Sequence, residues 1–423
     1  MNQNFKQVKL KYLALINPPK SEVKIKENIP VSFVPMENIK SIGEVDLSIV
    51  RPIEEVWDGY TYFKDKDIIM AKVTPCFENG NIAIVDNLEN GVGFGTTELH
   101  IIRAHTNVKT EFLFYFIQSD EFKTAAVSSM YGVGGLKRIP TEFLLNSKVP
   151  LPDKETQRRI ISFLNEKSDS IHSLIKKKQK LIDLLEEKRQ AIITEAVTKG
   201  LNPTVKMKDS GVEWIGEIPE HWRLTKMKYI GDAITGLTYS PNDVCDEYGT
   251  VVLRSTNIQK GNISLHDNVY VNMNIPGKLF TKVNDILICS RNGSRNLIGK
   301  NALILEKHTG LSFGAFTTVF RSEYNSFVYY VLNSGFFAAQ LGTYLTSTIN
   351  QLTIGNLNNM EIVMPPLKEQ KKITQYLQQE TSNLNHLIER IEEQIQKLKE
   401  YRQSLIYEVV TGKIDVRDLE VVQ

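Results

Sequence analysis

The sequence predicts an α+β chain of two globular domains, each followed by a long helix, with the two helices packing as an antiparallel coiled coil. Three observations carry that expectation. The chain repeats itself once at long period, the most similar segments keep heptad spacing, and the stretches between them read as short strands and turns.

The repeat is clearest in its helical part. IISFLNEKSDSIHSLIKKKQKLIDLLEEKRQAIITEAVT, from Ile160, aligns without a gap to ITQYLQQETSNLNHLIERIEEQIQKLKEYRQSLIYEVVT, from Ile373, at an offset of 213 residues. Beyond the apolar stripe, Arg189-Gln190 coincides with Arg402-Gln403, Glu195 with Glu408 and Thr198 with Thr411. Two unrelated amphipathic helices would share the stripe alone. Upstream, Lys9-Leu10-Lys11-Tyr12 matches Lys226-Met227-Lys228-Tyr229, Asp67-Ile68-Ile69-Met70 matches Asp285-Ile286-Leu287-Ile288, and Phe94-Gly95 matches Phe313-Gly314. A period this long indicates a duplicated domain plus helix, not a solenoid.

In the first helical segment the packing positions are Ile160, Leu164, Ile171, Leu174, Leu181 and Leu185. In the second they are Ile373, Leu377, Leu384, Leu387 and Leu398. Steps of three and four sustained over several heptads make a coiled-coil seam. Pro152 and Pro366 stand at the helix starts, and Gly200 and Gly412 near the ends, as helix punctuation requires. Some 40 residues at 1.5 Å each give a helix of roughly 60 Å. An apolar stripe of that length must be buried, and the two copies are each other's evident partner.

Between the helices, runs such as DIIMAKV, NIAIVD, DILICSR and NALILEK are broken by Gly, Asn and Asp, which reads as short strands and turns. A helical patch late in each half, EFLFYFIQSDEFKTAAVSS and FVYYVLNSGFFAAQLGTYL, completes two α+β domains. The expected boundaries are 1–150 for the first domain, 151–200 for its helix and 201–224 for a linker. The second domain takes 225–364, its helix 365–412 and a tail 413–423.

Composition excludes several classes. With 423 residues, 41% hydrophobic and 24% charged, the chain is long enough for two cores and typical of a soluble globular protein. No apolar run reaches membrane-spanning length, and the N-terminus lacks a secretory h-region; a cytoplasmic location is expected. Cys76, Cys245 and Cys289 are odd in number and far apart, fitting reduced thiols better than disulfides or zinc. A net charge of +2 leaves the partner undecided.

Catalytic motifs are not found. Asn17-Pro18-Pro19-Lys20 resembles a methyltransferase core but lacks the following aromatic residue, and no glycine-rich cofactor loop accompanies it. Gly293 to Gly299-Lys300-Asn301 has the wrong spacing for a phosphate-binding loop. Gly91-Val92-Gly93-Phe94-Gly95 reads as a turn. The seven histidines form no HxxxH or HExxH pair, so no metal, cofactor or catalytic residue is expected.

Several segments together resemble the specificity (S) subunit family of Type I restriction–modification systems. They are GVEWIGEIPEHWRLTKMKYI at 211–230, the P-x-x-EQ-like helix starts with VMPPLKEQKKI the closer, the helix ends TEAVTKGL and YEVVTGKID, and DILICSRNGS. The resemblance covers essentially the whole chain, and the order domain, helix, domain, helix is its most specific element. In VPLPDKETQRRI one extra residue separates Pro152 from Gln157. The resemblance implies a subunit without catalysis of its own. Each domain would read one half of a split double-stranded DNA target, and the helices would set the gap. Two methyltransferase (M) subunits and the restriction (R) subunits would be its partners, with no membrane.

On that footing the candidate DNA contacts fall in two clusters per half. SRNGSRN offers Arg291, Asn292, Ser294, Arg295 and Asn296, with Lys72 and Thr74 at the matching place of the first half. YGVGGLKRIP offers Tyr131, Lys137 and Arg138, with Thr348, Asn350 and Gln351 in the counterpart TSTINQLTIG. Such side chains can reach base edges, and glycines let a backbone approach a phosphate. The bland alternatives are a solvated hairpin and a tight turn before the helix. Lys176, Lys177, Lys178 and Lys180 read as a solvated helix face, and the repeated Arg-Gln pair as an interface. Two rivals to the whole reading are a protein-only coiled-coil adaptor and an enzyme with an unfamiliar site.

Overall fold

The computed structural model describes residues 5–23, 28–40, 43–132, 135–345 and 350–417. It forms two compact units: Met1–Lys178 with Glu392–Gln423, and Gln179–Ile391.

In the first unit a four-stranded antiparallel sheet runs in the order Ala14–Ile16, Leu99–Ala104, Ile68–Ala71, Ile82–Ile84. Ile68-Ile69-Met70-Ala71 is buried throughout, so both faces of this sheet are covered. Side chains alternate between them. Ile68, Met70 and Ile102 pack with Phe112, Leu113 and Phe116 of the helix Thr110–Gln118. Ile69, Ile101 and Ala83 join Val34 and Phe63 of a second, mixed sheet.

That second sheet corrects one expectation. Val92–Gly95 is a strand, parallel to Pro30–Val34, and not a turn. Its glycines provide room: a Cβ on Gly93 would lie 2.1 Å from the Phe63 ring, and one on Gly95 would lie 2.8 Å from the Val34 carbonyl oxygen.

The second unit repeats the first sheet in the order Asp232–Thr235, Thr317–Arg321, Ile286–Cys289, Asn301–Leu303. Helices Asn325–Leu332 and Gly335–Tyr344 take the place of Thr110–Gln118 and Asp120–Ser129. One ion pair recurs. Arg103 forks onto the buried Asp67 at 2.7 and 2.6 Å, and Arg321 onto the buried Asp285 at 2.8 and 2.6 Å. Each carboxylate also accepts the backbone N–H three residues earlier, from Lys64 or Lys282. The Asp shared by the two repeated strands is therefore a turn-holding group.

The long helices run Lys154–Lys199 and Leu367–Val410. Asp153 caps the first, accepting from the Glu155 and Thr156 N–H groups at 3.0 and 2.9 Å. These bonds hold its carboxyl below the usual range. The extra residue after Pro152 disappears once the helices are aligned on their glutamines. Gln157 donates to the Pro152 carbonyl at 3.0 Å and Gln370 to the Pro365 carbonyl at 2.8 Å. Gly200 and Gly412, both at φ 77°, follow the helix ends, where a left-handed residue closes the last turn.

The helices pack antiparallel in both units. In the first, Lys178 donates to Gln394 at 2.6 Å, and Ile160 and Leu164 share a core with Leu405, Ile406, Val409 and Val410. In the second, Arg189 donates to Asn385 at 2.7 Å, and Ile193, Ala196 and Val197 share a core with Trp222, Ile373 and Leu377. Each domain thus buries the start of its own helix and the end of the other half's helix.

The seam differs from expectation at three positions. Leu174, Leu181 and Leu387 lie on its rim, 42%, 45% and 44% exposed. The next residue takes the inward place: Ile182 and Ile388 are buried and Ile175 half-buried. Adjacent apolar pairs offer two registers, and the alternation of four and three from Ile171 to Leu185 passes through 175, 178 and 182. Ile160, Leu164, Ile171, Leu185, Ile373, Leu377 and Leu384 are buried, and Leu398 is half-buried.

Chemical denaturation should separate the two registers: Ile182→Ala should lower stability by about 2 kcal/mol or more and Leu181→Ala by under about 1 kcal/mol. Asp67→Ala leaves Arg103 without its buried partner and should cost about 3 kcal/mol by the same measurement.

Candidate nucleic-acid interface

The two candidate clusters of each half, far apart in sequence, meet at one tip. In the first domain Arg138 forms the middle of a short antiparallel arrangement, bridging Val73 on one side and Tyr131 on the other. The Arg138 N–H donates to the Tyr131 carbonyl at 2.9 Å, and the Ile139 N–H donates to the Lys72 carbonyl at 2.8 Å. Lys72 in turn donates its N–H to the Glu98 carbonyl at 2.9 Å. Thr74 closes the loop: its hydroxyl donates to the Gly135 carbonyl at 2.8 Å and accepts the Lys137 N–H at 3.0 Å. The hydroxyl proposed for DNA is thus engaged by its own loop.

Gly132 is required here. At φ 148° its Cβ would stand 2.3 Å from the Leu136 carbonyl oxygen, whereas Gly135, at φ 81°, faces open space. Behind the tip, buried His100 donates through Nε2 to the Ile139 carbonyl at 2.9 Å, and burial lowers its pKa. Asn17, of the Asn-Pro-Pro motif, lies against the His100 ring at 3.3 Å and accepts the Ile101 N–H at 2.9 Å. That motif is structural in this chain.

Tyr131, Lys137 and Leu136 are exposed, while Lys72 and Arg138 are half-buried. Sequence reasoning missed Glu98, which takes the Arg138 guanidinium through Nε at 2.9 Å and Nη2 at 2.5 Å. The bonds from Arg138 hold the Glu98 carboxyl below its usual range, so the pair is ionised at neutral pH.

The second domain builds the same frame from different side chains. Arg291 bridges Gln351, the Leu352 N–H donates to the Ser290 carbonyl at 2.8 Å, and Ser290 and Arg291 both donate to the Phe316 carbonyl at 3.0 Å. Lys72, Val73, Glu98 and Arg138 therefore correspond to Ser290, Arg291, Phe316 and Gln351. The Arg291 guanidinium donates to Gln351 at 2.8 Å and lies 5.7 Å from the centre of the Phe316 ring, itself 59% exposed.

The remaining candidates divide by role. Asn350 donates to the Gly293 carbonyl at 3.1 Å, Asn292 to the Ser255 hydroxyl at 3.2 Å, and Arg295 to the Leu345 carbonyl at 3.0 Å. These three hold the loop in shape. Ser294 and Asn296 are exposed, and Thr348 lies outside the described residues. Phe316 was the second residue missed. Phe316 is apolar and Glu98 is acidic, so neither stands out in sequence as a nucleic-acid contact; only strand pairing brings them to the tip.

The Arg-Gln repeat also has a place. Gln190 donates to the Asn333 carbonyl at 2.8 Å, within the second unit, and Gln403 donates to the Gln118 carbonyl within the first. Each closes the junction between the two short helices of a domain. No group of three or more His, Cys, Asp or Glu side chains able to hold a metal occurs among the described residues, and no described helix is long and apolar enough to cross a membrane.

Known proteins match this architecture. The family model for the Type I restriction modification DNA specificity domain matches residues 2–184 and 219–397. The specificity subunit of the Type I restriction enzyme EcoAI from Escherichia coli is 40% identical over 152 residues, 35% of this chain and 25% of that protein. The alignment thus spans about a quarter of that relative's length. The MjaVIII specificity subunit of Methanocaldococcus jannaschii is 27% identical over 72% of this chain and 71% of its own. A solved chain from work on complex assembly and conformational transition of the type I R-M system has a TM-score of 0.72 at 19% identity, covering 98% of this chain and 100% of that one. That likeness establishes a shared fold.

Gly132→Ala should lower thermal stability clearly more than Gly135→Ala, whose left-handed backbone alone costs about 1 kcal/mol; melting of the two variants side by side checks this.

Proposed function

This chain belongs to the Type I restriction modification DNA specificity domain family, and on that premise we propose that it is the non-catalytic, DNA-reading subunit of a Type I restriction–modification complex. The supporting observation is that the family match falls on both halves while the two tips share one backbone frame and differ in side chains. A frame built once and decorated twice suits two different half-sites. Arg291, Asn292, Ser294, Arg295, Asn296, Thr348, Asn350 and Gln351 belong to one reading surface. Lys72, Thr74, Tyr131, Lys137 and Arg138 belong to the other. Sequence is read from base edges by forked and amide side chains, while phosphate contacts set register.

The domain limits stay as the sequence suggests, with 1–150 and 225–364 as recognition domains, 201–224 as linker, and 151–200 and 365–412 as paired helices that set the gap. The partners are two methyltransferase subunits and the restriction subunits, and the complex is cytoplasmic. A feature favouring two like partners is duplicated. Tyr12 and Tyr229, 61% and 71% exposed, each lie beside a lysine, Lys11 or Lys228, at 5.1 Å. Equivalent surfaces suit two copies of one protein.

Co-expression with the methyltransferase subunit and mapping of methylated adenines should give two short half-sites with a fixed gap. Replacing Arg291 and Arg295 by Ala should weaken selection at one half-site by about tenfold or more and leave the other unchanged. An unsplit motif would refute the two-domain reading, and a protein with no effect on methylation would favour the adaptor.

A further inference from the structure

Arg138 is restrained at both ends. Its backbone bonds Tyr131 in both directions, at 2.9 and 3.2 Å. Its guanidinium meets Glu98 through Nε, at 2.9 and 3.2 Å from the two carboxylate oxygens, and through Nη2 at 2.5 Å. Glu98 stands just before the strand Leu99–Ala104, with its carbonyl held by the Lys72 N–H at 2.9 Å. Both partners therefore hang from paired backbone.

The geometry distinguishes the two forks of the guanidinium. Glu98 occupies the side fork, Nε with one proton of Nη2. The end fork, Nη1 with the other proton of Nη2, is left unoccupied by Glu98, on a side chain 42% exposed. A carboxylate at the tip of a domain that meets a polyanion repels phosphate and weakens sequence-independent binding. Lys72 and Lys137 without Glu98 would bind a backbone better. What the carboxylate adds is direction: it fixes the plane of the guanidinium relative to the paired backbone. In the second domain the same frame position carries Phe316, and Arg291 is braced by Gln351 and that ring instead.

Resting on the reading above, we propose that Glu98 is a positioning residue that aims the end fork of Arg138 at the O6 and N7 acceptors of a guanine in the half-site of the first domain. A single planar fork on those two acceptors is the commonest specific arginine contact, and it depends on orientation more than on charge.

The test compares Glu98→Ala and Arg138→Lys with wild type, each co-expressed with the methyltransferase subunit. Mapping of methylated adenines should show both variants admitting other bases, by about tenfold or more, at one and the same G·C pair of one half-site. The other half-site should stay strict, which a general loss of structure would not allow. The complex carrying Glu98→Ala should also bind an unrelated duplex more tightly at low salt, since a negative charge is gone.

Duplex binding gives an independent readout if a variant methylates too weakly to map. Substituting 7-deazaguanine at the mapped guanine should weaken wild type by about tenfold and weaken Arg138→Lys by clearly less. Strict selection in both variants, relaxation at an A·T pair, or indifference of wild type to 7-deazaguanine would overturn the inference. A wild-type motif that is not split would instead overturn the reading beneath it.

Discussion

The antiparallel burial of one long apolar stripe against its own duplicate is the constraint from which the rest of the architecture follows. A helix of 46 residues with a mostly charged exterior has no reason to stay straight and ordered alone, because its stability comes from packing the stripe. Antiparallel pairing sends each helix end into the core of the other half's domain. Val409 and Val410 complete the core around Phe112 and Leu113, and Ala196 and Val197 complete the one around Trp222. Neither domain is finished by its own contiguous residues.

The lead-in segment before the second domain shows how such an exchange is secured. Trp222 is fully buried and donates its indole N–H to Glu369 at 2.9 Å, while His221 meets the other oxygen of that carboxylate at 2.7 Å. Gly200, just past the first helix, has room for no side chain without pressing on the Trp222 ring, 3.0 Å from its Cβ position. The motif Glu-Gln that starts the second helix therefore has two jobs: Glu369 holds the lead-in segment, and Gln370 ties the helix to Pro365. This explains why GVEWIGEIPEHW and PPLKEQ occur in the same half.

On this frame, conserved geometry and variable chemistry separate. The ion pairs Asp67–Arg103 and Asp285–Arg321 are the same pair in the same place, deep in each first sheet. They fix the ends of the two central strands opposite to those from which the tips project. At the tips the backbone bonds repeat while the side chains do not: Glu98 corresponds to Phe316, Arg138 to Gln351 and Val73 to Arg291. On the function proposed above, one shape answering to different bases divides its residues in this way, because backbone order sets where a side chain stands and its chemistry sets what it pairs with.

The sequence by itself determined the duplication, the two long helices, the mixed α+β texture between them and the family. Each of these rests on local periodicity or on short strings that survive in one dimension, as in Asp67-Ile68-Ile69-Met70 against Asp285-Ile286-Leu287-Ile288. It also named most of the tip residues, since Arg138 and Arg291 sit in conspicuous polar turns. Tertiary structure decided the register of the seam, because Leu181-Ile182 and Leu387-Ile388 fit a stripe either way until a partner helix selects the inward residue. It decided that Val92–Gly95 is a strand, since only the Phe63 ring lying on Gly93 gives that glycine its purpose. And it decided that Glu98 and Arg138 are partners: forty residues of chain separate them, and only non-local strand pairing, which leaves no mark on neighbouring residues, could bring a carboxylate to brace that guanidinium.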